Sequence, residues 1–128
     1  MSYAGILATV NLYKTEKAQL TGELSNILMS ITDASKQTSE LMAKENKERA
    51  SVKENYDADS TEYKVEMDDI DSEYQAKLQD INSWEAELQQ EKQNKETQVQ
   101  ATSSFLDSFT EVLKNNVKKD FTYGQSSK

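Results

Sequence analysis

The chain has 128 residues, room for one domain, with 35% apolar and 30% charged residues, no Pro, no Cys, no His and three Gly. Its net charge of −8 excludes binding to nucleic acid through phosphates and adsorption to anionic membrane, both of which need a basic face. The lack of Pro and scarcity of Gly fit an almost wholly helical chain, and the low apolar content fits a thin seam better than a globular core.

The first residues, Met1 to Val10, have no basic stretch ahead of their apolar residues, so no Sec-type signal peptide is expected. No apolar run reaches the ~18 residues of a membrane span. The expected location is therefore cytoplasmic, or outside the cell by a route that needs no signal peptide.

The first arm spans about residues 3–56. Ile6, Val10, Tyr13, Lys17, Leu20, Leu24, Ile27, Ile31, Ala34, Thr38 and Leu41 follow in alternating steps of four and three. That is a heptad seam, the signature of a long amphipathic helix. Leu7, Leu28 and Met42 lie one residue beyond the seam and widen it. Gly22 falls inside this helix, where it costs about 1 kcal/mol relative to Ala. It is either a tolerated surface glycine or a point of close approach by another backbone. From Ala43 to Tyr56 the seam positions become Glu45, Glu48, Val52 and Asn55. This part reads as solvated helix held by charge pairs at helical spacing and prone to fray.

The break lies at Asp57-Ala58-Asp59-Ser60-Thr61-Glu62. Asp59 or Ser60 can cap a new helix, and Asp59-x-x-Glu62 has the spacing of a capping box. The turn is expected at 57–61. Asp57-x-Asp59-x-Thr61, with Asp68 at the twelfth place, departs from a calcium loop by Glu62 where Gly is needed. The reading is a solvated acidic tip, with no metal and no cofactor.

The second arm spans about 62–119. Tyr63, Met67, Ile70, Tyr74, Lys77, Ile81, Trp84 and Leu88 continue the seam. Gln89 to Gln98 contains no apolar residue, yet the pattern returns in the same phase as Thr102, Phe105, Phe109 and Val112, flanked by Val99, Leu106 and Leu113. Retained phase argues for one continuous helix, followed by a flexible tail over 120–128.

Two such arms predict an all-α fold, a long antiparallel coiled-coil-like hairpin on the order of 75 Å in length at 1.5 Å per residue. With the turn centred on Ala58–Asp59, facing residue numbers add to about 117. The polar stretch 89–98 then faces 19–28, where Leu20, Leu24, Ile27 and Leu28 lie. Each well-buried Leu or Ile stabilises by about 1.5–3 kcal/mol, so either the arms are staggered or this patch meets another subunit, and the second is favoured. Residues 1–42 and 99–113 carry few charges, whereas the turn region is acidic. Apolar ends of several copies can therefore bundle while acidic tips repel. The expected interface residues are Ile6, Val10, Tyr13, Leu20, Leu24, Ile27, Leu28, Ile31, Phe105, Phe109, Val112 and Leu113.

Without His or Cys the commonest acid–base and nucleophilic groups are missing, and a thin two-helix layer provides no pocket to perturb carboxylates or lysines. No enzymatic activity is expected. The apolar termini Ile6–Leu41 and Phe105–Val117 around a polar middle resemble those of bacterial axial proteins: type III secretion needle and filament subunits and the terminal regions of flagellins. The resemblance implies pairing of terminal helices and polymerisation, with export machinery or a chaperone as further partners. The chain differs from needle subunits in its greater length and its Pro-free turn. A small secreted helical hairpin with a Trp-x-Gly turn is a second resemblance, but Trp84-Glu85-Ala86 lacks the Gly. The leading expectation is a self-assembling structural protein, its alternative a cytosolic coiled-coil adaptor or chaperone that holds a partner helix.

Overall fold

A computed structural model describes residues 2–126, with side-chain environments for 2–119. The fold is all-α, a helical hairpin of two elements, α1 (Tyr3–Asn55) and α2 (Thr61–Ser126). Among the described residues there is no strand. The helices pack against each other within two compact units. The terminal unit comprises Met1–Asn26 with Lys92–Lys128, and the turn unit Ile27–Glu91.

Both helices open on a serine. The Ser2 hydroxyl accepts the Gly5 N–H at 3.1 Å, and the Ser60 hydroxyl accepts the Tyr63 N–H at 3.1 Å. Each satisfies one of the free donors of a first helical turn. Ser60 also donates to the Asp57 carbonyl at 2.7 Å, and its N–H bonds the same oxygen at 3.0 Å. The turn therefore sits where it was expected, but Ser60 is the cap. The expected Asp59–Glu62 capping box does not form, because the helix starts one residue later and Glu62 falls within its first turn. There its charge still complements the positive end of the dipole.

α1 keeps its seam to the end. In the turn unit, Ile27, Ala34 and Leu88 are buried together with Ile31 and Ile81 packed on them. A second cluster joins Val52, Ile70 and Tyr74, covered by Leu41, Tyr63 and Met67. The stretch 43–56 is mostly exposed and carries the Glu45–Arg49 pair at helical spacing, as expected of solvated helix, but Val52 is buried and the helix holds as far as Asn55. Tyr74, fully buried, supplies the bulk that the glutamates at neighbouring seam positions lack.

α2 is continuous through the polar stretch 89–98, as the retained phase predicts. Thr102 is buried and Phe109 half-buried as that phase expects, but alternate seam positions move on by one residue, from Trp84, which is exposed, to half-buried Glu85 and onward. In the terminal unit Val99, Leu106 and Leu113 are half-buried, while Phe105 and Val112 are exposed. α2 also runs past residue 119 to Ser126, so 120–126 are helical where a tail was expected. Ser127 and Lys128 lie outside the described residues.

Candidate interaction surface

The facing pairs settle the register. Glu23 meets Lys95 in the terminal unit, and Arg49 meets Asp71 and Met67 in the turn unit. Both fit a turn centred on 58–59, so the arms are not staggered. Lys92 and Lys95 occupy half-buried positions opposite the apolar part of α1. A lysine there lays its stem over apolar surface while its ammonium reaches outward. Lys95 Nζ stands 2.6 Å from Glu23 Oε2, and Lys92 Nζ 3.8 Å from Glu96. The Lys95 hydrogen bond and charge hold the Glu23 carboxyl below its ordinary range. Further along, the Tyr13 ring stacks on Phe105 and Phe109 at centroid distances of 5.6 and 5.7 Å.

The residues expected at an interface fall into three groups. Ile6, Val10, Leu20 and Ile27 are buried within the chain's own fold. Tyr13, Leu24, Ile31, Phe109 and Leu113 are half-buried. Leu28, Phe105 and Val112 remain open, at 43, 53 and 43% exposure. Of the open residues outside that set, which include Tyr56 and Val65, the most exposed are Leu12 and Met29, each at 65%. Both lie two positions past a seam residue, on the far side of α1, and a search for a single seam passes over them. Altogether the chain exposes 9356 Å², where a compact monomer of 14.5 kDa exposes about 6,900 Å².

The turn unit is different in kind. The Arg49 guanidinium donates to Glu45 Oε1 at 2.9 Å, to Asp71 on the facing helix, and to Met67 Sδ at 3.7 Å. Hydrogen bonds to Asp71 and then Glu45 raise its pKa still further. Tyr74 lies within the same layer. Burial, and then the carboxylate of Glu48, pushes its phenol up to about 12. Its hydroxyl is shielded from water, and Glu48 stands beside it without completing a hydrogen bond of good geometry. Lys77 lies over the Tyr74 ring at 5.3 Å and pairs with Glu73 at 2.8 Å, which lowers the Glu73 pKa. Asp57, Asp59, Glu62, Glu66, Asp68 and Asp69 are exposed. Among the described residues no group of three or more acidic side chains is placed to hold a metal ion, and no helix is long and apolar enough to cross a membrane.

The charge divides with the units. The turn unit holds 7 Lys and Arg against 17 Asp and Glu, a net of −10, and the terminal unit 8 against 6, a net of +2. No family model, curated protein or solved structure matches the chain.

Proposed function

We propose that the chain is a non-enzymatic structural protein that assembles with copies of itself through the terminal unit, as a subunit of a bacterial filament, needle or similar assembly. The observation that carries this reading is the unfinished state of that unit. Its interior positions include Lys92, Lys95 and Thr102, while Leu12, Phe105 and Val112 stay open to water. An apolar surface without strong net charge favours contact between copies, whereas the −10 of the turn unit disfavours it. The resemblance of the terminal helices to those of axial proteins agrees with this reading.

The test is light scattering with negative-stain imaging of the purified chain over a concentration series, alongside the double variant Leu12→Ser, Val112→Ser. Both residues are exposed, so the variant keeps its helix content by circular dichroism. Large regular particles from the natural chain, lost in the variant, are the expected result. A monomer at every concentration overturns the reading and favours an adaptor that holds a foreign helix.

A further inference from the structure

In the turn unit a cleft of about 410 Å³ opens between α1 and α2. Val52 and Ile70, both buried, form its apolar lining. Glu48 and Ser51 of α1 and Glu66, Asp69 and Glu73 of α2 form the rest, so the cleft holds four carboxylates and no basic side chain. Glu73 is already paired with Lys77 and also feels the charge of Lys44. Among the described residues no lysine or arginine pairs with Glu48, Glu66 or Asp69. Glu48 is half-buried, where a carboxylate without a counter-charge is costlier than on the open surface.

Tyr74 is the second, independent observation. It is fully buried, and its hydroxyl, directed at Glu48 in the cleft wall, has no hydrogen-bond partner of good geometry. A phenol oxygen donates one proton and accepts others on its lone pairs. Glu48 can take the proton, but a carboxylate has none to give in return. Buried polar atoms are nearly always matched, and the partner missing here is a donor. An N–H group that carries positive charge satisfies the phenol oxygen and the unpaired carboxylates together.

We infer that this cleft binds a linear polyamine, with one ammonium at Glu48 beside the Tyr74 hydroxyl and others along Glu66 and Asp69. A single metal ion does not suit it, because among the described residues no three acidic side chains converge to hold one. Carboxylates spread along a groove match a chain of charges instead. Glu66 and Asp69 are about 4.5 Å apart along the axis of α2, and Glu66 and Glu73 about 10 Å, at 1.5 Å per residue. Methylene segments between the ammonium groups can lie on Val52 and Ile70, as a lysine stem lies on apolar surface. The inference stands apart from self-association, although a bound polycation offsets part of the −10 of the turn unit.

Calorimetric titration of the full chain with spermidine should show saturable binding. Glu66→Gln with Asp69→Asn, both at exposed positions, should keep the helix content and weaken binding by about tenfold. Asp57→Asn with Asp59→Asn removes the same charge from outside the cleft and should weaken it by less than about twofold, as expected of screened charges. Tyr74→Phe keeps the ring and the net charge and should still weaken binding several-fold, which charge attraction alone does not predict. Absence of saturation, equal losses in the two double variants, or unchanged affinity in Tyr74→Phe would overturn the site. Magnesium ion binding as tightly as spermidine, or a lysine trimer binding more tightly, would overturn the polyamine as its occupant.

Discussion

The two units are built from the same pair of helices and solve the same packing problem differently. In the turn unit, apolar residues from both helices fill the interior: Ile27, Ile31, Ala34, Ile81 and Leu88 at one level, and Leu41, Val52, Tyr63, Met67, Ile70 and Tyr74 at the other. In the terminal unit, α2 offers Lys92, Lys95 and Thr102 to an apolar α1, while exposed large apolar residues occur in both units. The charges run opposite to the packing. The well-filled unit carries a net −10, and the poorly filled one +2. A unit that completes its own interior can tolerate a repulsive surface. One that does not keeps a surface compatible with contact.

The largest expected effect tests the first half of this contrast. Ile70→Ala removes a buried side chain beneath Tyr74 and Val52 and should destabilise by about 2–4 kcal/mol in urea unfolding. The loss of hydrogen-exchange protection should be greatest in residues 27–91. A cost below about 1 kcal/mol would mean the turn unit is not the better-packed one.

The second half is sharpened by completing the terminal interior. Glu23→Leu with Lys95→Leu exchanges a partly covered ion pair for apolar contact. Such exchanges are often neutral or stabilising, whereas removing one partner alone leaves a charge unpaired. The double variant should melt several degrees higher than the natural chain and Glu23→Leu alone lower. The acid limb should change too. Lys95 depresses the Glu23 pKa, so the pair stabilises the fold above the unfolded carboxylate pKa and the benefit fades as pH falls through the lowered folded value. In the double variant this contribution to acid destabilisation should vanish, although the Glu73 contribution remains.

A smaller effect appears at the alkaline end. The Tyr74 pKa is raised from 10.0 to about 12, so the folded chain prefers the protonated phenol. Its contribution is fully present below pH 10 and is lost as pH rises through that interval. Tyr74→Phe keeps the ring and removes the ionisation. Thermal melts should coincide with those of the natural chain near pH 8 and lie above them at pH 11–12. Identical alkaline limbs would show that the phenol reaches solvent.

These tests also separate what the sequence discloses from what it withholds. The seam positions Ile6 to Leu41 and Tyr63 to Ile81 are legible because heptad steps follow from helix geometry alone, whereas Trp84 is exposed and Glu85 half-buried in its place. The choice between Phe105 and Leu106, or Val112 and Leu113, is not. Both members of each pair are apolar, so the hydrophobic pattern by itself does not choose between them. Arg49 is legible as the i+4 partner of Glu45, but its bond to Asp71 needs the register of the facing helix.

The smallest effect concerns the turn, where sequence and structure come within one residue of agreement. Asp59 and Ser60 are both competent caps, and spacing to Glu62 favours Asp59. The backbone decides for Ser60, whose hydroxyl accepts from Tyr63 and donates to the Asp57 carbonyl. Ser60→Ala removes both bonds and should cost about 1 kcal/mol. Asp59→Ala leaves those bonds intact and removes one carboxylate from a crowded acidic region, so it should be neutral or slightly stabilising. The two variants differ by one position and a few atoms. A larger loss at Asp59 than at Ser60 would move the helix start back by a residue, and with it the register that brings Arg49 to Asp71 and Glu23 to Lys95.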